Sequence, residues 1–245
     1  MYEPRDWENL PGFLAGLHAA KRRLDAGQLE MMVRRANEQG RQGTVMECVR
    51  RAATTGVGLD EVRLVREVMW GARVRAWRAG WSEEGVGRGL RQGEQMLELL
   101  EDPNCSVGRG VEGKRFGRMP DVVGVVLELA AVRAVRYGGG EDEDAKVAAY
   151  AAATVAGLRT QALTTDLGAS GLHDANYELQ RWAPVLHGLR LAVDVLKAKP
   201  QLAKDVSDSA RKLEEVVSKA RDLVLANTPQ DRTRRGLMVY DDISS

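Results

Sequence analysis

The chain has 245 residues, and its 36 lysines and arginines nearly cancel 35 aspartates and glutamates, leaving a net charge of +1. Hydrophobic residues at 44% and charged residues at 29% exclude wholesale disorder, while aromatics at 5% leave a core of Leu, Val, Ala and Met, the palette of packed helices rather than sheets. No apolar run reaches the roughly 18–20 residues of a membrane span, and Cys48 and Cys105 are too few for a disulfide framework, which points to a reducing compartment.

The stretch Met1 to Glu8 holds three acids and one base. It is neither a basic, Ser-rich transit peptide nor an apolar secretory signal. Two cases stay open: residence in the cytosol or nucleus, or a presequence removed before this numbering begins.

Helix follows helix from there. Pro11 opens a helix carrying Phe13, Leu14, Leu17 and Ala20 at three- and four-residue spacing, and a second runs from about Gln28 to Gln39 before Gly40. A third is expected over about 43–55, stopping at Gly56, and a fourth over about 60–79, stopping at Gly80. Ser82 caps a fifth, with Glu83 and Glu84 where the helix dipole favours negative charge, and it ends near Pro103. Gly85, Gly87, Gly89 and Gly93 within it imply either a close neighbouring helix or a frayed element.

Residues 102–118 form a Gly-rich loop that is also basic, through Arg109, Lys114, Arg115 and Arg118. Helices resume at Pro120 with a Val-rich segment to Tyr137, then break at Gly138-Gly139-Gly140. Four acids, Glu141 to Asp144, precede an Ala-rich helix; they serve as dipole complements or, alternatively, attract a divalent cation. A long helix is expected from Asp174, as its cap, to Lys199, kinked or divided by Pro184, and a last one from Gln201 to Ala226. Leu237, Met238, Val239 and Tyr240 in the polar segment 227–245 suit docking on the body.

The fold class expected is therefore all-α: about nine to eleven helices stacked as antiparallel hairpins, an α-solenoid or helical repeat, because short connections force neighbours to run antiparallel. Its divisions are 1–101 for repeat-like amino-terminal hairpins, 102–118 for the basic loop, 119–226 for carboxy-terminal hairpins and 227–245 for a polar tail.

Residues 27–61 make a unit of hairpin length. Leu29, Met32 and Val33 lie in its first helix, Gly40-Arg41 at the turn, Met46, Val49, Ala52 and Ala53 in its second helix, and Gly56, Leu59 and Asp60 at the exit. This unit resembles the pentatricopeptide repeat family. The resemblance implies a non-enzymatic adaptor that binds single-stranded RNA or a ribonucleoprotein in mitochondria, with the cytoplasm as the alternative compartment. The positions that read a base in that family hold Met31 and Glu61 here, and methionine has no amide or hydroxyl with which to read a base edge. Nucleic-acid contact would therefore be electrostatic.

Charge is unevenly placed. Between Lys21 and Arg91 stand 15 bases, 14 of them Arg, against 9 acids. Arg presents a planar fork suited to phosphate, so Arg34, Arg35, Arg50, Arg51, Arg73 and Arg78, with Arg115 and Arg118 of the basic loop, are the candidate nucleic-acid contacts. The competing reading is a set of solvated faces paired with Glu30, Glu38, Glu47 and Glu67. The loop lacks the Gly-Lys-Ser/Thr ending of a nucleotide-binding motif. Trp70, Trp77 and Trp81, spaced seven and four, lie on one side of a helix and its exit, either as core anchors or as an exposed stripe for a partner protein or a stacked base.

No catalytic constellation emerges. His18, His173 and His187 fall on separate elements, none at metal-ligand spacing with a cysteine, and Cys48 sits among apolar helix residues. No enzyme activity, metal or cofactor is expected. Two functions remain: the RNA- or ribonucleoprotein-binding adaptor of the resemblance, and a purely protein-binding scaffold or assembly factor.

Overall fold

The computed structural model describes residues 4–105, 115–161, 163, 171–229 and 233–244. Every regular element among them is helical, and the chain divides into two units, Met1–Val122 and Val123–Ser245. The expected all-α architecture of antiparallel hairpins stands. Arg109 and Lys114 of the basic loop lie outside the described residues.

The first unit holds α1 (Pro4–Glu8), α2 (Leu10–Ala19), α3 (Ala26–Glu38), α4 (Gln42–Arg50), α5 (Ala52–Thr55), α6 (Val62–Arg78) and α7 (Glu83–Glu101), then a 3-10 turn at Pro103–Cys105. Local chemistry sets the ends. Asp25 and Gln28 form a reciprocal cap on α3: the Asp25 carboxylate accepts from the Gln28 N–H at 2.8 Å, and the Gln28 side-chain oxygen accepts from the Asp25 N–H at 2.9 Å. α3 stops at Gly40, whose φ of +72° lets the Arg41 N–H fold back to the Ala36 carbonyl at 2.8 Å. α6 stops the same way at Gly80 (φ +61°), with the Trp81 N–H on the Ala76 carbonyl at 2.9 Å.

The single helix expected over 43–55 is instead two. α4 ends at Arg50, and the Thr55 hydroxyl donates to the Cys48 carbonyl at 2.7 Å, so a side chain takes the acceptor that a continuous helix would give to the Ala52 N–H, while the Arg51 carbonyl still accepts the Thr55 N–H at 2.8 Å. Residues 27–61 therefore span three helices rather than one hairpin.

Two glycine contacts draw the hairpins together. A Cβ at Gly71 of α6 would lie 2.4 Å from Oδ1 of Asn37 on α3, and one at Gly85 of α7 would lie 2.4 Å from the Ala79 Cβ at the end of α6. Gly85, Gly89 and Gly93, four residues apart and all buried, give α7 a side without side chains against which a neighbour packs. α7 is unbroken, so the close-neighbour reading of its glycines holds and fraying does not. Val33, Ala36, Val45, Val49, Leu64, Val68, Met69, Ala72, Val86 and Leu90 fill the core of this unit.

The second unit begins within α8 (Pro120–Tyr137) and continues with α9 (Lys146–Thr160), α10 (Leu172–Val195), α11 (Pro200–Ala226) and α12 (Arg235–Ser244). Of the four acids before α9, Asp142 caps it, its carboxylate oxygens accepting the Val147 and Ala148 N–H groups at 2.9 Å each. α10 starts at Leu172, so Asp174, expected as its cap, lies within its first turn, and Pro184 does not divide it. Within this unit α8 meets α10 at two glycines. A Cβ at Gly188 would lie 2.8 Å from the Glu128 backbone nitrogen, and one at Gly124 would lie 2.7 Å from a Val185 methyl. In the segment expected as a polar tail, α12 docks on α10: Val239 is buried, and the Gly236 N–H donates to the Asn176 side-chain oxygen at 3.0 Å.

Candidate nucleic-acid interface

The arginines expected as nucleic-acid contacts are placed in three different environments. Arg34 is exposed and pairs with Glu30 at 2.7 Å, with Glu67 at 4.0 Å. Arg35 pairs with Glu38 at 2.8 Å and Arg51 with Glu47 at 3.2 Å, both exposed and within one turn of helix. These are the partners named by the solvated-face reading, and such exposed pairs contribute at most about 1 kcal/mol each. Arg78 donates to the Asn37 backbone carbonyl at 3.0 Å, tying the end of α6 to α3. Arg115 and Arg118 are exposed beside the undescribed part of the loop.

Arg73 corrects the expectation. It is 0% exposed, its guanidinium 5.5 Å from the ring centre of Trp70 and 5.1 Å from that of Trp81. A phosphate cannot reach it without opening the core, so it leaves the nucleic-acid set. Trp81 is likewise interior, at 7% exposure, which removes it from an exposed stripe; Trp70 and Trp77 are half-buried. The Trp81 ring packs on Arg73, the core-anchor reading of this residue.

Arg50 lies elsewhere, in company the sequence analysis did not single out. An open depression of about 300 Å³ in the first unit is lined by Gly43, Met46 and Arg50 of α4, Arg75 of α6, and Arg88, Arg91, Gln92 and Gln95 of α7. Four guanidinium groups and no carboxylate line it. The Arg50 fork donates to the Gln95 side-chain oxygen at 2.7 Å. Arg88 is paired with Glu84 one turn back on α7. Among the described residues no ion-pair partner stands beside Arg75 or Arg91. Burial, and then the neighbouring Arg88 charge, hold the Arg75 pKa below its ordinary value. Gln92 is 5% exposed, and its side-chain oxygen has no hydrogen-bond partner among the described residues.

The signal for this cluster was present but faint. Arg88, Arg91, Gln92 and Gln95 are spaced at 0, 3, 4 and 7, one face of a helix, beside the glycine row. Arg50 and Arg75 join them only through packing.

The histidines do not converge. His173 is exposed, His187 lies 2.9 Å from the buried Glu128 carboxylate, and His18 packs beside Gly56. Both cysteines are free and buried, and burial pushes the Cys48 thiol up to about 12. Among the described residues no helix is long and apolar enough to cross a membrane.

Helical hairpins, with an arginine-lined hollow in the first unit, define the class: an all-α protein that carries a cationic depression. Residues 1–242 match the family described as mitochondrial ribosomal protein mS27, and the chain belongs to that family. Small ribosomal subunit protein mS27 of Neurospora crassa is 27% identical over 137 residues, which cover 54% of this chain and 35% of that protein. The matched part thus spans about a third of the relative's length. Family membership overturns the pentatricopeptide resemblance: the match runs through nearly the whole chain rather than a repeated unit, and residues 27–61 hold three helices. The mitochondrial localisation that the resemblance implied stands, now on the family instead.

Proposed function

We propose that this chain is a non-enzymatic helical component of the mitochondrial small ribosomal subunit, supporting translation by holding ribosomal RNA and neighbouring proteins in place. The observation that carries this reading is the family match across residues 1–242. Arg34, Arg35, Arg50, Arg51, Arg78, Arg115 and Arg118, all at the surface, are its contacts to RNA or ribonucleoprotein. They act through phosphate rather than base edges, because a planar guanidinium fork matches phosphate oxygens in pairs.

The protein-binding scaffold remains as a second reading, because Arg34, Arg35 and Arg51 already have carboxylate partners within their own helices or nearby. Sucrose-gradient sedimentation of mitochondrial lysate containing the tagged full chain tests the proposal. The chain is expected to travel with the small subunit and to shift to lighter fractions after ribonuclease treatment. A chain that stays at the top of the gradient overturns ribosomal association. One that sediments with a protein complex untouched by ribonuclease favours the scaffold.

A further inference from the structure

We infer that the hollow formed by Arg50, Arg75, Arg88 and Arg91 is a phosphate site that seats the backbone of an RNA strand. This inference rests on the ribosomal reading above and gives that reading a location.

Four like charges gathered around one concavity repel each other, and the lining supplies no carboxylate to offset them. Among the described residues Arg88 has Glu84 on its own helix but Arg75 and Arg91 have no carboxylate partner, whereas Arg34, Arg35 and Arg51 each have a glutamate within reach. An external anion is what the hollow lacks. Burial and then the Arg88 charge disfavour the protonated Arg75, and an anion seated between Arg75 and Arg88 would offset their mutual repulsion.

The chemistry of the lining selects phosphate. All four cations are Arg and none is Lys, and they converge from three helices, α4, α6 and α7. Planar guanidinium forks bind tetrahedral phosphate oxygens in pairs, and forks from three directions suit a compact anion better than spaced carboxylates. Gln92 supplies a buried carboxamide without a hydrogen-bond partner for its oxygen; turned over, it presents two N–H donors to the same anion. The hollow is open rather than enclosed, so a strand can cross it and leave one phosphate seated.

Fluorescence anisotropy of the full chain with a labelled single-stranded RNA, over a range of salt, tests the site. Arg88→Gln with Arg91→Gln is the test variant, since both residues are exposed. Arg190→Gln with Arg211→Gln is the control, two exposed arginines outside the proposed contacts, paired with Glu214 and Asp208. The test variant should lose affinity about tenfold and flatten the logarithmic salt slope by about 1.4, two contacts at ~0.7 each, while the control stays within about twofold. Circular dichroism melting checks the fold, and Arg91→Gln alone, expected to flatten the slope by ~0.7, serves if the double variant unfolds. Equal losses from both pairs, or none from either, overturn the site. Binding of pyrophosphate without RNA assigns the hollow to a free anion and overturns the RNA partner, as does displacement of RNA by polyglutamate at equal charge. Sedimentation separates the two levels of the argument. A chain that travels with the small subunit while its RNA affinity ignores Arg88 and Arg91 loses only the site. A chain that binds RNA through them but never joins the subunit loses only the ribosomal reading.

Discussion

The guanidinium of Arg73 stands 5.1 Å from the ring centre of Trp81, with Trp70 5.5 Å away on the same cation. Trp81 is held with φ +55°, a left-handed conformation that costs a bulky residue about 1–2 kcal/mol. Its N–H bond to the Ala76 carbonyl and its ring on Arg73 offset that cost. The cation thereby locks the turn between α6 and α7, the same turn that sets Arg75 against Arg88.

Truncating Arg73 should therefore destabilise the first unit although no ligand touches it. We expect R73A to cost about 2–4 kcal/mol, through the cavity left and the lost ring contacts. R73K, which keeps the charge but not the planar fork, should cost about 1 kcal/mol or more. Urea denaturation followed by tryptophan fluorescence reads both; an R73A midpoint equal to that of the parent chain contradicts a structural role.

The meeting of α8 with α10 depends on the missing side chain at Gly188. A methyl group there would stand 2.8 Å from the Glu128 nitrogen and 2.9 Å from its Cα, backbone atoms that cannot rotate aside. G188A is expected to lose about 1–3 kcal/mol by forcing the helices apart. Gly43, near the start of α4, has nothing within 4 Å of a built Cβ, so G43A should be neutral or gain up to ~1 kcal/mol from helix propensity. Thermal melts of the two variants should separate in opposite directions.

Alkaline pH should weaken the fold through its thiols. Desolvation by burial, and next the charge of Glu47, raise the Cys48 pKa from 9.0 to about 12, and Cys105 moves in the same direction, by burial and then Asp102. In the unfolded chain a thiol releases its proton near pH 9, while the folded chain keeps it. Stability linked to these groups is thus complete below pH 9 and declines as pH rises from there toward about 12. Denaturant midpoints measured upward from pH 9 should fall more steeply for the parent chain than for a Cys48→Ala, Cys105→Ala variant. Iodoacetamide at pH 8 should leave both native thiols unmodified and label them once urea is added.

Much of the fold was legible because helix boundaries are local. Gly40, Gly56 and Gly80 stop helices with positive φ, Ser82 accepts the Gly85 N–H, and Pro120 and Pro200 begin helices, all settled within four or five residues of chain. The errors arose where a contact further off took over. The break at Arg51 follows from the Thr55 hydroxyl reaching back seven residues to the Cys48 carbonyl, and α10 runs through Pro184 inside a buried environment. The repeat resemblance failed for a related reason: apolar spacing in 27–61 describes a helical pair equally well whether or not the second helix is whole.

Sequence alone determined the helical class and where most rods begin and end, since capping and periodicity act over one or two turns. Which arginines face water together was decided by tertiary structure. Arg73 and Arg75 are two residues apart, about 200° around one helix. Packing of α7 through its glycine side put the first between tryptophans and the second in the cationic hollow. A helix has no inside or outside until its neighbours arrive, and the identity of an arginine says nothing about which side they will take.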